Sequence, residues 1–236
     1  MWAYVLLHEF PYDDPAQLER RARVEYPIAV DRALFGRSPT PPLQRALARG
    51  GGPTPLDHAL VYAHWAWFVQ PHAAAAYILW KHPQRFPRSA VLICAVFDLG
   101  LAGYFLVPTA PPWWAAEHGR IQGMRRIMVD VGQQVWGRLW SPLYGFLGGN
   151  PLAAMPSLHF ATSLMAAHVL SEANPVAGAA GWAYAGTLGF ALVYLGEHYV
   201  VDLAAGAALA EGIRVAGPHA TPALSAVRRT VRMWSM

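Results

Sequence analysis

The sequence predicts an all-α protein, a polytopic membrane helix bundle with about five spanning helices plus interfacial amphipathic helices. Three observations carry that expectation. Of 236 residues, 55% are apolar and only 14% charged, which is far from a soluble surface. The apolar residues gather into five stretches of about 18 to 24 residues, the length a helix needs to cross a bilayer. Between them lie prolines, tryptophans and charged residues of the kind that collect at membrane boundaries.

Residues 1–56 read as an N-terminal interfacial segment. The apolar run at Met1–Glu9 is too short for a signal peptide or a span. Prolines at 11, 15, 27, 39, 41, 42, 53 and 55 and the Gly50-Gly51-Gly52 run then predict short interfacial helices and turns. A membrane-embedded domain follows over 57–216. Its first span is expected over Asp57–Trp80 and its second over Ser89–Val107, with a basic turn from Lys81 to Arg88 between them. The second ends in Pro108, Pro111 and Pro112 followed by Trp113 and Trp114. Within the 108–156 loop, Ile121, Met124, Met128, Val131, Val135 and Leu139 recur every three or four residues, with Arg120, Arg125, Arg126 and Arg138 among them. That spacing predicts an amphipathic helix on the membrane surface.

The last three spans are expected over Ser157–Ala173, Val176–Leu195 and Tyr199–Ala216. Tight connections at Asn174-Pro175 and Gly196-Glu197-His198 make them adjacent and antiparallel, and abundant Ala and Gly allow close helix approach. Residues 217–236 form a basic C-terminal tail. The net charge of +4 arises from arginine-rich segments beside the apolar stretches, so it points to a bilayer and excludes nucleic acid as the partner. The single Cys94 permits no intrachain disulfide and no multi-cysteine metal cluster.

Two segments place titratable groups at the mouths of apolar stretches. In Glu197-His198-Tyr199-Val200-Val201-Asp202, His198 and Asp202 are four apart and share a helix face. The carboxylate can then hold one imidazole nitrogen while the other is presented as nucleophile or base. In Met155-Pro156-Ser157-Leu158-His159, Ser157 is placed as an N-cap, with His159 in the first turn among N–H groups that favour an anion. Such a pair can divide phosphoryl chemistry, one histidine attacking phosphorus and the other protonating the leaving group.

Pro156-Ser157-Leu158-His159, followed about forty residues later by His198 and Asp202, resembles motifs two and three of the type 2 phosphatidic acid phosphatase superfamily. The likeness covers roughly residues 57 to 216. Leu158 stands where the phosphatases usually have glycine, and His198-Tyr199-Val200-Val201-Asp202 looks more like the inositolphosphorylceramide synthase (aureobasidin-resistance) branch, which also shares a proline-tryptophan element. The resemblance implies an enzyme that hydrolyses or transfers a phosphoryl or phospho-headgroup on a lipid phosphoester, with no metal or other cofactor. His198 would be the nucleophile, Asp202 its orienting partner and His159 the general acid. Water as acceptor gives a phosphatase, and a lipid or polyol hydroxyl gives a transferase. A catalytically silent lipid-binding or transport protein on the same scaffold is the alternative.

The phosphatase pattern has an arginine six residues before the nucleophile, where this chain has Leu192. Cations that could replace it are Arg120, Arg125 and Arg126, with Ser157 and the helix start beside it completing the substrate-binding set. Lys81 and Arg88 have the spacing of the family's first motif, yet the span count puts them across the bilayer from both histidines. The family generally has six spanning helices, one more than counted here. The opposite side carries Lys81, Arg85, Arg88, Arg214, Arg228, Arg229 and Arg232 in short segments, so the active site is expected to face away from the cytoplasm, in the plasma membrane.

Remaining polar groups read as structural. His64 and His72 are expected to bond within the bundle or face a polar cavity rather than bind metal. Asp98 is placed at the substrate cavity, Glu211 with Arg214 as an ion pair, Glu197 toward water and His168 away from the chemistry.

Overall fold

The structure, a computed structural model, describes residues 15–48, 50–142 and 150–234, with only the backbone of residues 15, 18 and 218–234. The short apolar run at 1–9 lies outside the described residues. Among those described, regular structure is helical, joined by loops that meet in two isolated parallel bridges, Arg23 with Thr109 and Thr109 with Ala153. The all-α expectation holds. Two helices, Pro83–Leu106 with 24 residues and Pro175–Tyr194 with 20, are long and apolar enough to cross a membrane.

Helices α1 (Pro15–Arg21), α2 (Glu25–Phe35) and α3 (Thr40–Leu47) precede the expected first span. They are short and broken, as the prolines predict, and they pack into the body of the protein. Thr40 Oγ1 donates to the Val193 carbonyl at 2.7 Å, and Gln44 Nε2 donates to that of Tyr194 at 2.9 Å.

The stretch expected as one span over Asp57–Trp80 is two helices, α4 (Pro55–Ala66) and α5 (Gln70–Lys81), separated by a turn at residues 67–69. Pro71 explains the break, because it has no N–H for the Trp67 carbonyl four residues earlier and its ring crowds that position. The start of α4 is a capping box, in which Thr54 accepts from Asp57 N–H and the Asp57 carboxylate accepts from Thr54 N–H. Helix α6 (Phe86–Leu106) follows a short 3-10 turn at Pro83–Arg85.

The arginine-rich loop departs from its expected form. Helix α7 (Pro112–Glu117) ends early, residues 118–126 are irregular, and α8 runs only over Ile127–Trp136. Gly123 lies inside the expected helix with φ of 72°, a left-handed conformation that an α-helix cannot contain. Arg120, Arg125 and Arg126 therefore sit in the turn before α8. Its apolar face also points inward, since Ile127, Met128 and Val131 are buried against Leu60, Val61 and Leu195.

Helix α9 (Leu158–Ala173) is the axle of the bundle. Residues 161–167 are all buried, and the helix packs against α5, α6, α10 (Pro175–Tyr194) and α11 (Val200–Trp234), so it is apolar all round rather than striped. At its start, Gly206 of α11 comes so close that a Cβ there would stand 2.5 Å from the Ser157 carbonyl oxygen. At its far end Glu172 pairs with Arg88. Helical rise puts the two ends about 20 Å apart, which separates Arg88 from His159. Helix α11 continues beyond the expected fifth span to Trp234.

Candidate active site

Main-chain contacts place both histidines. The Leu192 carbonyl accepts the N–H groups of Glu197 at 2.9 Å and His198 at 3.1 Å, closing the turn after α10. Leu192 is fully buried, so the position where the phosphatase pattern has its arginine serves here as an apolar anchor. The Ser157 N–H donates to the Asp202 carbonyl at 3.0 Å, which joins the starts of α9 and α11. Ser157 Oγ accepts from Phe160 N–H at 3.3 Å and is fully buried, so the hydroxyl acts as the expected N-cap. The unpaired backbone N–H groups at that helix start are donors open to a ligand.

These contacts bring His198 Nε2 to 3.4 Å from His159 Nδ1. On the other side of the ring, His198 Nδ1 lies 3.4 Å from Asp202 Oδ2, and that oxygen accepts Tyr199 N–H at 2.8 Å. His198 and Asp202 are almost wholly buried. Three of the sequence-selected residues thus form one row, carboxylate, imidazole, imidazole, with the second nitrogen of His198 facing His159.

The arginines divide. Arg120 pairs with Glu25 at 3.1 Å on an exposed surface, and Arg125 with Asp130 at 3.0 Å. Arg126 pairs with Glu117 and lies over the Trp113 ring, 3.9 Å from its centroid. The Trp113 backbone N–H in turn donates to the Gly196 carbonyl at 2.9 Å, so Arg126 is the member of the trio whose guanidinium packs on a residue bonded to the His198 turn. Glu197, expected to face water, has its Oε1 buried without a hydrogen-bond partner. Burial raises its pKa, a rise that the nearby positive charge of Arg126 and then His198 only partly opposes.

Asp31 was not singled out by sequence. Only 1% exposed, its carboxylate accepts the N–H groups of Val200 at 3.0 Å and Val201 at 3.1 Å and so caps α11 beside Asp202. Burial pushes its carboxyl up, and the two N–H donors oppose that. A lone Asp in an N-terminal segment gave no local signal of a cap 169 residues away. Away from the site, Asp98 is exposed on α6 rather than lining a cavity, and Glu211 pairs with Arg214 as expected while also meeting His168.

Fold and site together define a helical membrane protein built around a histidine pair, of which His198 is buried and backed by a carboxylate while His159 is partly exposed. The model of the PAP2 superfamily matches residues 28–216, and the chain belongs to that superfamily. The match includes Asp31 as well as both histidines. The chain is also similar to the phosphoinositol dihydroceramide synthase of Bacteroides thetaiotaomicron, 26% identical over 208 residues covering 75% of this chain and 61% of that protein. It thus spans 61% of the length of the curated relative it matches. No solved structure matches it.

Proposed function

We propose that the protein transfers a phospho-headgroup from a lipid phosphoester to a hydroxyl acceptor through a phosphohistidine on His198. The observation that carries this is the row in which Asp202 backs Nδ1 of His198 while Nε2 faces His159. The Nε2 lone pair attacks phosphorus, and the bond to the leaving alkoxide breaks as His159 gives that oxygen its proton. His159, now neutral, removes the proton of the acceptor hydroxyl, whose oxygen attacks phosphorus and releases His198. The rings are in contact at 3.4 Å, so they must part to admit a phosphoryl group.

The named activity of the relative supports phosphoinositol as the headgroup and a ceramide-type lipid as acceptor, with water as the competing acceptor. The backbone donors at the start of α9 and the Arg126 guanidinium supply positive potential for the phosphoryl oxygens. Helices α4 with α5, α6, α9, α10 and α11 would form the five spans. The plasma membrane is the proposed location, and the histidines would open away from the cytoplasm.

The test is turnover of phosphorus-labelled phosphatidylinositol by the purified chain, with dihydroceramide, diacylglycerol or water as acceptor. His198→Ala should abolish turnover and the acid-labile, base-stable phosphoprotein while the protein stays folded, and Asp202→Asn should retain a small residue of activity. Near-wild-type turnover by His198→Ala refutes the assignment. A wild-type chain that binds the lipid without turnover supports the silent scaffold instead.

A further inference from the structure

His159 does not stand alone against His198. The His64 ring lies against one part of it, with centroids 4.8 Å apart and planes tilted by 32°, and the Trp67 ring against another at 4.1 Å and 42°. His64 and Trp67 are three residues apart at the end of α4, where such spacing puts both on one face. Trp67 is fixed by its indole N–H, which donates to Thr162 Oγ1 at 2.8 Å, and that hydroxyl donates to the Leu158 carbonyl at 2.7 Å. The indole is therefore bolted to the same helix turn that carries His159.

His64 is 9% exposed, and its Nδ1 is buried without a hydrogen-bond partner. A buried imidazole nitrogen with no hydrogen bond is costly, so the contact of His64 with His159 needs a reason. The His64 and His159 rings meet at a tilt of 32° rather than stacked, so each offers part of its π-surface to the other. From the other elements packed here, His198 faces His159 from the start of α11, backed by Asp202, and α6 contributes the apolar Phe97 against Trp67.

We propose that His64 and Trp67 form an aromatic clamp that positions the His159 ring toward His198 and favours its imidazolium form, which makes His64 a positioning residue for delivery of the leaving-group proton. The clamp acts in two ways. Contact with the two rings limits rotation of the His159 ring, keeping Nδ1 toward His198, and the electron-rich ring faces attract the positive charge that His159 carries before it gives up its proton. The proposal rests on the assignment of His159 as proton donor.

The test compares His64→Ala with His64→Phe in the purified chain, using phosphorus-labelled phosphatidylinositol in mixed micelles. His64→Ala should lower kcat by about tenfold or more, a part of what a general acid supplies, with KM within about twofold. The basic limb of its kcat–pH profile should move down by about half a unit, the size of a lost cation–ring contact. His64→Phe retains an aromatic face and should restore kcat to within about threefold and return the limb to its wild-type position. The clamp is overturned if His64→Phe is as impaired as His64→Ala, or if the limb does not move in His64→Ala. Trapping of phosphohistidine in the wild type keeps the two ideas apart. If none forms on His198, the catalytic assignment fails irrespective of His64; if it forms at wild-type rate in His64→Ala, only the clamp fails.

Discussion

Replacing Asp31 by alanine strips the cap from α11 without touching either histidine. The carboxylate accepts two N–H groups, from Val200 and Val201, at 3.0 and 3.1 Å. Hydrogen bonds to a charged group contribute about 1.5–3 kcal/mol each, and alanine removes the cost of burying the carboxylate, so the net loss should be about 2–3 kcal/mol. For a domain of this size that lowers Tm by roughly 5–10 °C, read by near-UV circular dichroism on heating in detergent micelles. Activity should fall further than stability, because the freed turn carries His198 and Asp202. Asp31→Asn keeps one acceptor oxygen and should lose about half as much.

The pH dependence of stability is a second readout of the same substitution. Burial raises the Asp31 carboxyl above its ordinary 3.8, so the native state binds that proton more tightly than the unfolded chain does. The Asp31 contribution is then greatest below the unfolded value and declines as pH rises through the raised one. Asp31→Asn should lack this part of the slope. A Tm for Asp31→Ala within about 1 °C of wild type, with an unchanged pH slope, refutes the cap.

Among the arginines, Arg126→Ala should lower kcat/KM by about a hundredfold while Arg120→Ala and Arg125→Ala stay within about threefold; equal effects in all three would remove Arg126 from the site. Gly206→Ala should destabilise the chain by about 1–3 kcal/mol and reduce kcat, since its Cβ would meet the Ser157 carbonyl at 2.5 Å; unchanged thermal unfolding would show that α9 and α11 can separate without cost. In a Cys94→Ser background, single cysteines at Arg120 and Gln84 should label from opposite faces of sealed vesicles, and labelling from one face would return Lys81 and Arg88 to consideration as phosphate ligands.

What the sequence made legible was short-range. His198 with Asp202 follows from a four-residue spacing, and Ser157 from its place before an apolar run; neither depends on the rest of the fold. The break after α4 was also written locally, in Pro71, but span-length hydropathy averages over a single missing N–H. The stripe from Ile121 to Leu139 has helical period, yet a period does not register the positive φ of Gly123, and it does not say whether an apolar face meets lipid or protein. The roles of Asp31, Thr40 and Gln44 were not legible, because their partners lie 81 to 170 residues away and no pattern links them before the chain is folded.

The double acceptor at the Leu192 carbonyl separates two jobs that a single sequence motif elsewhere joins. Where His198 stands is decided by main-chain atoms, the C=O of residue 192 and the N–H groups of 197 and 198, which every amino acid except proline supplies. What side chain occupies position 192 is a different choice, and here it fills the core. The socket for the His198 imidazole is therefore indifferent to the side chain at position 192. A scaffold wired in this way can change the side chain at position 192 while the His198 imidazole keeps its place.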